Sequence, residues 1–471
     1  MKHYYQTIIL DQFTPVSVYE KLKDIYKNDV TFLFESVLNG DDGNFSYITI
    51  GDLERVWSKD GKSYFKDRFA NKKMISTDPF LFLKDYYKNI NKNYFKRLSN
   101  ETGLGFTDGF IGNIGYDMSK IFQPKLQPYM KNLQDDIGEN DMDLIRPKLI
   151  VGFCHKTSKL VIITSLEEKQ NEIIHLKNIL QTSYDYTKLK KATIQNKGKF
   201  HHSKEKFFDM IELCKQKIHD GYVFQVLMTN RFVQKAVVDA LSFYRVLRSK
   251  NPSPYLYLLE FEDYSIVGSS PEVMIKLHNG VITLRPIAGT RKRGATKEED
   301  EVLSHELLDD PKEISEHIML VDLGRNDVGK VAKAGTVEVS SFMKVEKYSH
   351  VMHIVSNVTA ICDKQYDMFD LFEATFTAGT MTGAPKIKAM ELIATFEKLR
   401  RGFYSGSIGY FGFDGNMDSA ITIRTSLITK DKIVFHAGAG IVADSSPQNE
   451  YEEVINKLQA NISTLDELAN L

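Results

Sequence analysis

The chain has 471 residues, of which 42% are hydrophobic and 26% charged, and 61 Lys+Arg stand against 62 Asp+Glu for a net charge of −1. That balance is ordinary for a soluble globular protein and lacks the basic excess of a general nucleic-acid or membrane-surface binder. Three scattered cysteines, Cys154, Cys214 and Cys362, make neither a disulfide framework nor a zinc site.

The opening MKHYYQTIILDQF has no long apolar run of the secretory kind, and no segment approaches the ~20 apolar residues of a membrane span. A cytoplasmic location is therefore the expectation. NYFKRLSNETGLGF (93–106) reads as an exposed connection, and FTDGFIGNIGYDM (106–118) as aromatic-rich strands and loops. The polar, Lys-rich stretch from 186 reads as a linker. It divides the chain into an N-terminal region (1–185), a linker (186–203) and a second domain (204–465).

Beyond it, Phe207, Ile211, Cys214 and Ile218 have helical spacing, with a stop at Gly221. FQVLMTNRFVQK reads as a strand. Consecutive strands follow from Tyr255, with an Asn-Gly turn at 279–280. They lead to RPIAGTRKRG (285–294), where Arg285, Arg291, Lys292 and Arg293 surround a small neutral core that includes Ala288 and Gly289. Near the end, SIGYFGF, DSAITIRTSLI and KIVFHAG are strands joined by short turns. Short connections imply antiparallel pairing, and large antiparallel sheets with separate helices imply an α+β fold.

Two helix starts carry paired carboxylates. In DDPKEISEHIMLVDLGRND (309–327), Asp310 can cap, Pro311 suits the first turn, Glu313 has capping-box spacing, and Ile314 and Ile318 mark an apolar stripe. Glu313 and Glu316 share another face. SSPQNEYEEVINKLQ (445–459) repeats the design. Ser446 caps, Tyr451, Ile455 and Leu458 face the core, and Glu450 and Glu453 share a face with Lys457 one turn on. Each pair suits a solvated acidic first turn that complements the helix dipole. Together they also suit Mg²⁺, a hard ion that takes oxygen ligands and leaves positions for water or substrate.

Reading DSAITIRTSLI as one strand puts Ile421 and Ile423 on one side and Thr422, Arg424 and Ser426 on the other. Arg424 is then either a bidentate carboxylate ligand or a strand-edge charge. Gly438, Ala439 and Gly440 lie just before the last helix and allow close approach to backbone N–H groups. AGTMTGAPK (378–386) is a second Gly/Thr-rich loop and not a P-loop. His353, Glu272 and Tyr404 are unremarkable alone.

Taken together, PIAGTRKRG, DPKEISEHIMLVDLGRND, KVEKYSHVMHIVSNV, TFTAGTMTGAPKIKAMELI, RGFYSGSIGYF, ITIRTSLI and HAGAGIVADSSPQNEYEE resemble the chorismate-utilising enzymes, and within them the large subunits of anthranilate synthase. These motifs cover most of 220–460 in the family's order. The resemblance implies two large antiparallel sheets in a sandwich flanked by helices, with the active site between them. It implies that Glu316 and Glu453 hold Mg²⁺, with Glu313 and Glu450 as direct or water-mediated ligands, and that the ion meets the ring carboxylate of chorismate. Gly289 and Thr290 would line the ring site. Tyr404, Arg424 and the backbone of Gly438, Ala439 and Gly440 would take the second carboxylate, with Thr380 and Lys457 completing the pocket. Glu272 would protonate the departing 4-hydroxyl, and His353 would assist the later elimination.

Within that family, Ala288 stands where some members have a nucleophilic lysine, and Gln225 where others have a water-activating lysine. The resemblance then implies ammonia as the nucleophile and anthranilate as the product. Ser36 of LFES and Pro254, Tyr255 and Leu256 of NPSPYL resemble a tryptophan feedback pocket. No cysteine lies in a G-x-C-x-G elbow, so glutamine use would need a separate amidotransferase subunit, in a heterodimer or heterotetramer. The rival readings are a synthase that releases aminodeoxyisochorismate, a catalytically idle tryptophan sensor, and a nucleic-acid surface.

Overall fold

The computed structural model describes residues 2–9, 13–36, 45–182, 184–348 and 351–471, so Ser349 and His350 of the quoted KVEKYSH stretch lie outside the described residues. Two long strands, Phe45–Lys59 and Met142–Cys154, pair along most of their length and slip register between Asp52 and Glu54. They belong to two sheets at once. At one end they pair with Thr31–Glu35 and Lys159–Thr164. At the other they pair with Lys62–Lys66 and Gly109–Ile114.

The first sheet continues from Thr31–Glu35 through Tyr255–Glu260, Tyr264–Ser270, Thr425–Thr429, Lys432–Ile441 and Gln225–Val237. The second continues from Gly109–Ile114 through Ser407–Gly412, Met417–Ile421, Val273–His278, Val281–Leu284 and Val351–Ile361. Ile287–Lys292 and Glu338–Lys347 flank that last strand. All of these ladders are antiparallel, as the short turns require. The Asn279-Gly280 turn has φ of 51° and 80°, the left-handed pair that a two-residue hairpin favours.

Side-chain alternation assigns the layers. Tyr257, Leu259, Leu427 and Val434 point between the sheets and pack with Ile111, Met274 and Ile408. Their neighbours Leu256, Leu258, Ile428 and Phe435 point outward onto Leu22, Phe243, Leu247, Leu458 and Leu465 of the covering helices. Strands from before and after residues 186–203 lie side by side in both sheets. The polar stretch itself adds Thr193–Ile194 and Lys199–Phe200 to Gln225–Val237.

Several local expectations need correction. Residues 93–106 are not an exposed connection, because Lys92–Thr102 is a helix. Asn91 accepts from the Tyr94 N–H, Phe95 and Leu98 are buried, and Gly103 closes the helix at φ 71°. In Pro311–Gly329, Asp310 caps as expected, accepting from the N–H groups of Lys312 and Glu313. The buried stripe is His317, Leu320, Val321, Gly324 and Val328, while Ile318 is exposed. In Pro447–Ala469 the core face is Val454, Leu458 and Leu465, with Tyr451 half-buried against Phe207 as expected; Ile455 is not part of it, and Ser446 makes no side-chain cap bond.

The largest correction concerns DSAITIRTSLI. One strand ends at Ile421 in the second sheet and another begins at Thr425 in the first. Arg424 sits between them at φ 49°. Simple alternation therefore fails there, because the chain is turning a corner between sheets rather than running straight.

Candidate active site

Two chain crossings and an incoming loop meet at that corner. Pro271-Glu272 links Tyr264–Ser270 of the first sheet to Val273–His278 of the second. Thr422–Arg424 returns from the second sheet to the first. The loop through Tyr404 and Ser405 precedes Ser407–Gly412. The three segments bond to one another: Ile421 N to Glu272 O (3.0 Å), Ser269 N to Arg424 O (3.2 Å) and Ser405 N to Thr422 O (3.1 Å). Strand ends that switch sheets release side chains from the ladder alternation, so Glu272, Arg424 and Tyr404 can converge.

Glu272 is buried, and its carboxylate accepts from Thr380 Oγ1 at 2.9 Å. Burial pushes its pKa up to about 7, while Thr380, Lys457 and Arg424 act in the opposite sense. The Arg424 guanidinium has one hydrogen-bond partner among the described residues, Asn251 Oδ1 at 3.4 Å. Burial lowers its guanidinium from the usual range and Glu272 opposes that. A guanidinium this enclosed, with so little protein to bind, suits a carboxylate from outside. The strand-edge alternative does not hold.

The glycines of HAGAG lie on Lys432–Ile441. Gly438 and Gly440 face the inner side, with Ala439 turned out to the helices. Lys457 donates to Gly438 O at 3.0 Å. Burial raises the Tyr404 hydroxyl, and the Gly438 amide beside it acts in the opposite sense. The Tyr404 ring lies on the His436 ring.

Gly289 sits in a break of register at φ 66°. Its carbonyl accepts from His353 Nδ1 at 2.8 Å, and Thr290 Oγ1 lies 3.2 Å from the same nitrogen. A carbonyl can only accept, so Nδ1 carries the proton and Nε2 keeps its lone pair. Burial lowers the pKa of His353 and so favours that neutral form. His353 is thus buried, with its ring orientation fixed by the Gly289 carbonyl.

The acidic helix starts also converge. Gln225 donates to Glu316 at 3.2 Å, and the other oxygen-bearing end of its amide is buried without a partner. Burial raises Glu316, Gln225 offsets part of this, and Glu313 and Glu453 raise it further. Glu450 is likewise raised by burial, offset by Ser445 and raised again by Glu453. Carboxylates from the two helices therefore feel one another. Arg291 takes Glu313 (3.1 Å) and Lys457 takes Glu453 (2.7 Å). Among the described residues no three His, Cys, Asp or Glu side chains already form a metal cage. The donor set is all oxygen and fits a hard divalent ion in kind, once those two cations release their carboxylates.

Three of the four cations of RPIAGTRKRG form structural ion pairs. Arg285 meets Glu346, Arg291 meets Asp310 and Glu313, and Arg293 meets Asp300. The neutral middle supplies the Gly289 carbonyl and Thr290 hydroxyl that meet His353, and Arg291 reaches Glu313. Away from the corner, Leu256 pairs with Glu35, which brings Pro254, Tyr255 and Leu256 beside Ser36. Tyr255 donates to Asp418 at 2.8 Å. Asn251 and His436 were not singled out from sequence. The alternation of His436 with Gly438 and Gly440 was the signal available for the latter.

The family model for chorismate binding enzymes matches residues 15–463. The chain is 38% identical to anthranilate synthase component 1 of Aquifex aeolicus, over 98% of this chain and 94% of that one. It is 39% identical to the protein of that name from Acinetobacter calcoaceticus, over 99% and 95%. The solved anthranilate synthase component I of Streptococcus pneumoniae superposes with a TM-score of 0.79 at 33% identity, covering 96% of this chain and 99% of that one. A menaquinone-specific isochorismate synthase from Escherichia coli, at 18% identity and a TM-score of 0.72, covering 98% and 95%, shares the fold.

Proposed function

This chain belongs to the chorismate-binding enzymes, and we propose that it is the large subunit of a cytoplasmic anthranilate synthase, converting chorismate and ammonia to anthranilate and pyruvate. The observation that carries the reading is the corner itself. A buried carboxyl titrating near 7, a nearly unpartnered arginine and a neutral histidine converge where a dianion can be divided between cationic and backbone donors.

In the first step ammonia adds at C2 of chorismate, the ring double bonds shift, and the C4–O bond breaks. Glu272 gives its proton to the departing hydroxyl, which leaves as water. The product of this step is aminodeoxyisochorismate. In the second, the free Nε2 of His353 suits removal of the C2 proton as the enolpyruvyl group leaves to become pyruvate, and the ring aromatises. Arg424, Tyr404 and the Gly438–Gly440 backbone hold the enolpyruvyl carboxylate. Gln225 is not basic and cannot activate water, and Ala288 cannot attack the ring, so ammonia is the remaining nucleophile. Mg²⁺, held by Glu316 and Glu453 with Glu313 and Glu450 beside them, would supply positive charge to the ring carboxylate.

Ammonia would come from a glutamine amidotransferase subunit, because the relatives are named as a first component. Tryptophan would inhibit by binding beside Ser36, Pro254, Tyr255 and Leu256. Support for this is that the two motifs lie on paired strands.

The test mixes the purified chain with chorismate, Mg²⁺ and ammonium at mildly alkaline pH and follows anthranilate fluorescence, with EDTA as control. Mg²⁺-dependent anthranilate and pyruvate are expected, and tryptophan should suppress both. Chorismate loss without fluorescence would instead identify a synthase that stops at aminodeoxyisochorismate. No chorismate loss, even with an amidotransferase subunit, would leave a tryptophan sensor.

A further inference from the structure

We propose that His436 is a positioning residue for the substrate pocket, holding the Tyr404 ring in place as a neutral imidazole stacked against it. The proposal rests on the reading of Tyr404 as a chorismate contact. The two rings lie 4.3 Å apart at 22°, and His436 and Tyr404 are only 3% and 4% exposed. His436 alternates with Gly438 and Gly440 on the inner face of Lys432–Ile441, so its backbone is continuous with the glycines of the carboxylate site.

A chain of hydrogen bonds fixes the orientation of this ring. Arg401 forks onto Glu397 through Nε (2.9 Å) and Nη2 (2.7 Å). That charge-assisted pair keeps Glu397 a pure acceptor. Thr229 gives Glu397 both its N–H and its hydroxyl proton, each at 2.9 Å. The Thr229 oxygen, its proton committed, accepts from His436 Nε2 at 2.8 Å. Nε2 therefore carries the proton, and Nδ1 is left without a partner among the described residues.

The surroundings keep the ring neutral. Burial disfavours the charged ring, and Arg231, directly across the strand pair from His436, and Arg401 act in the same sense. An imidazolium here would be buried among cations. A neutral ring is free to stack on Tyr404 and fix the hydroxyl beside the Gly438 amide. The contact works through Tyr404 and never reaches substrate, so its loss should appear in binding rather than in turnover.

The experiment measures chorismate affinity by calorimetry alongside steady-state KM and kcat for H436A, H436F, Y404L and the double variant H436A/Y404L. Thermal unfolding checks that each is folded. H436A should raise Kd and KM for chorismate about 10-fold with kcat within about 2-fold, as removal of one well-packed ring contact predicts. H436F keeps a stacking ring and should recover most of that loss, although it forfeits the Thr229 bond. In the Y404L background, H436A should cost nothing further.

An unchanged Kd in H436A would overturn the proposal. So would an equal loss in H436F, or a full loss that persists without the tyrosine ring. Calorimetry needs no turnover, so failure of the proposed reaction would show separately, as a wild-type chain that binds chorismate without consuming it.

Discussion

Two buried carboxylates in this chain meet opposite fates. Asp108 lies where the two long strands pass between sheets, and Glu272 lies in the corner where the later strands cross. Asp108 receives Arg146 through two nitrogens, at 2.9 and 2.7 Å, and also His3 Nε2 at 2.9 Å. Those partners outweigh burial and hold its pKa well below the usual carboxylate range. Glu272 has one hydroxyl, and burial prevails. Burial is common to both, so burial alone marks neither as functional. What separates the two is whether the protein completes the carboxylate's partners.

The largest effect expected at either place is on catalysis. E272Q removes the acid and should lower kcat by about 10²- to 10⁴-fold. The same variant sharpens the contrast through stability. A carboxyl raised from 4.5 to about 7 by folding binds more protons folded than unfolded between those values, so its contribution is present below about 4.5 and is lost as pH rises through about 7. E272Q should therefore match the wild-type Tm at pH 5 and exceed it at pH 8. Asp108, depressed on folding, behaves oppositely: its stabilisation is present above its unfolded pKa and is lost as pH falls.

R146A leaves Asp108 and Glu54 buried without their cation, and about 3–5 kcal/mol of stability should be lost in denaturant unfolding. R424A strands no carboxylate in the same way. Its expected cost of about 1.5–3 kcal/mol falls on chorismate binding, read as a raised KM with little change in Tm. If R424A instead unfolds the protein while R146A only weakens binding, the distinction between completed and incomplete pairing fails.

The smallest effect is a shift along the pH axis. At fixed unprotonated ammonia, kcat should fall as pH rises through the pKa of Glu272, since a general acid must hold its proton. T380V removes the hydroxyl that favours the carboxylate form, so this falling limb should move to higher pH. A limb that stays in place would assign it to another group.

Much of this was legible in the residues. Asp310-Pro311 announced a helix start and Asn279-Gly280 a hairpin, because capping and turn chemistry are local. The carboxylates of Glu313, Glu316, Glu450 and Glu453 were visible as pairs on helix faces. The exposure of Ile318 is not legible because a short apolar stripe fits more than one helical face until its neighbours are known, and the helix within 93–106 is hidden in sequence because only Phe95 and Leu98 mark its apolar face. Arg424 was read on a straight strand because alternation assumes an unbroken ladder, and nothing local in ITIRT reveals that the strand changes sheets.

The sequence by itself determined the antiparallel class, the helix starts and, through the order of its motifs, the likeness to chorismate-utilising enzymes, since propensity, spacing and motif identity are properties of the chain. Only the tertiary structure decided which groups act as partners. It turned three cations of RPIAGTRKRG onto Glu346, Asp310, Glu313 and Asp300 and left the Arg424 guanidinium almost unpartnered. It put the lone pair of His353 on Nε2 and stacked His436 on Tyr404. Desolvation and hydrogen bonding depend on what surrounds a group in space, and residues tens to hundreds of positions apart supply those surroundings here.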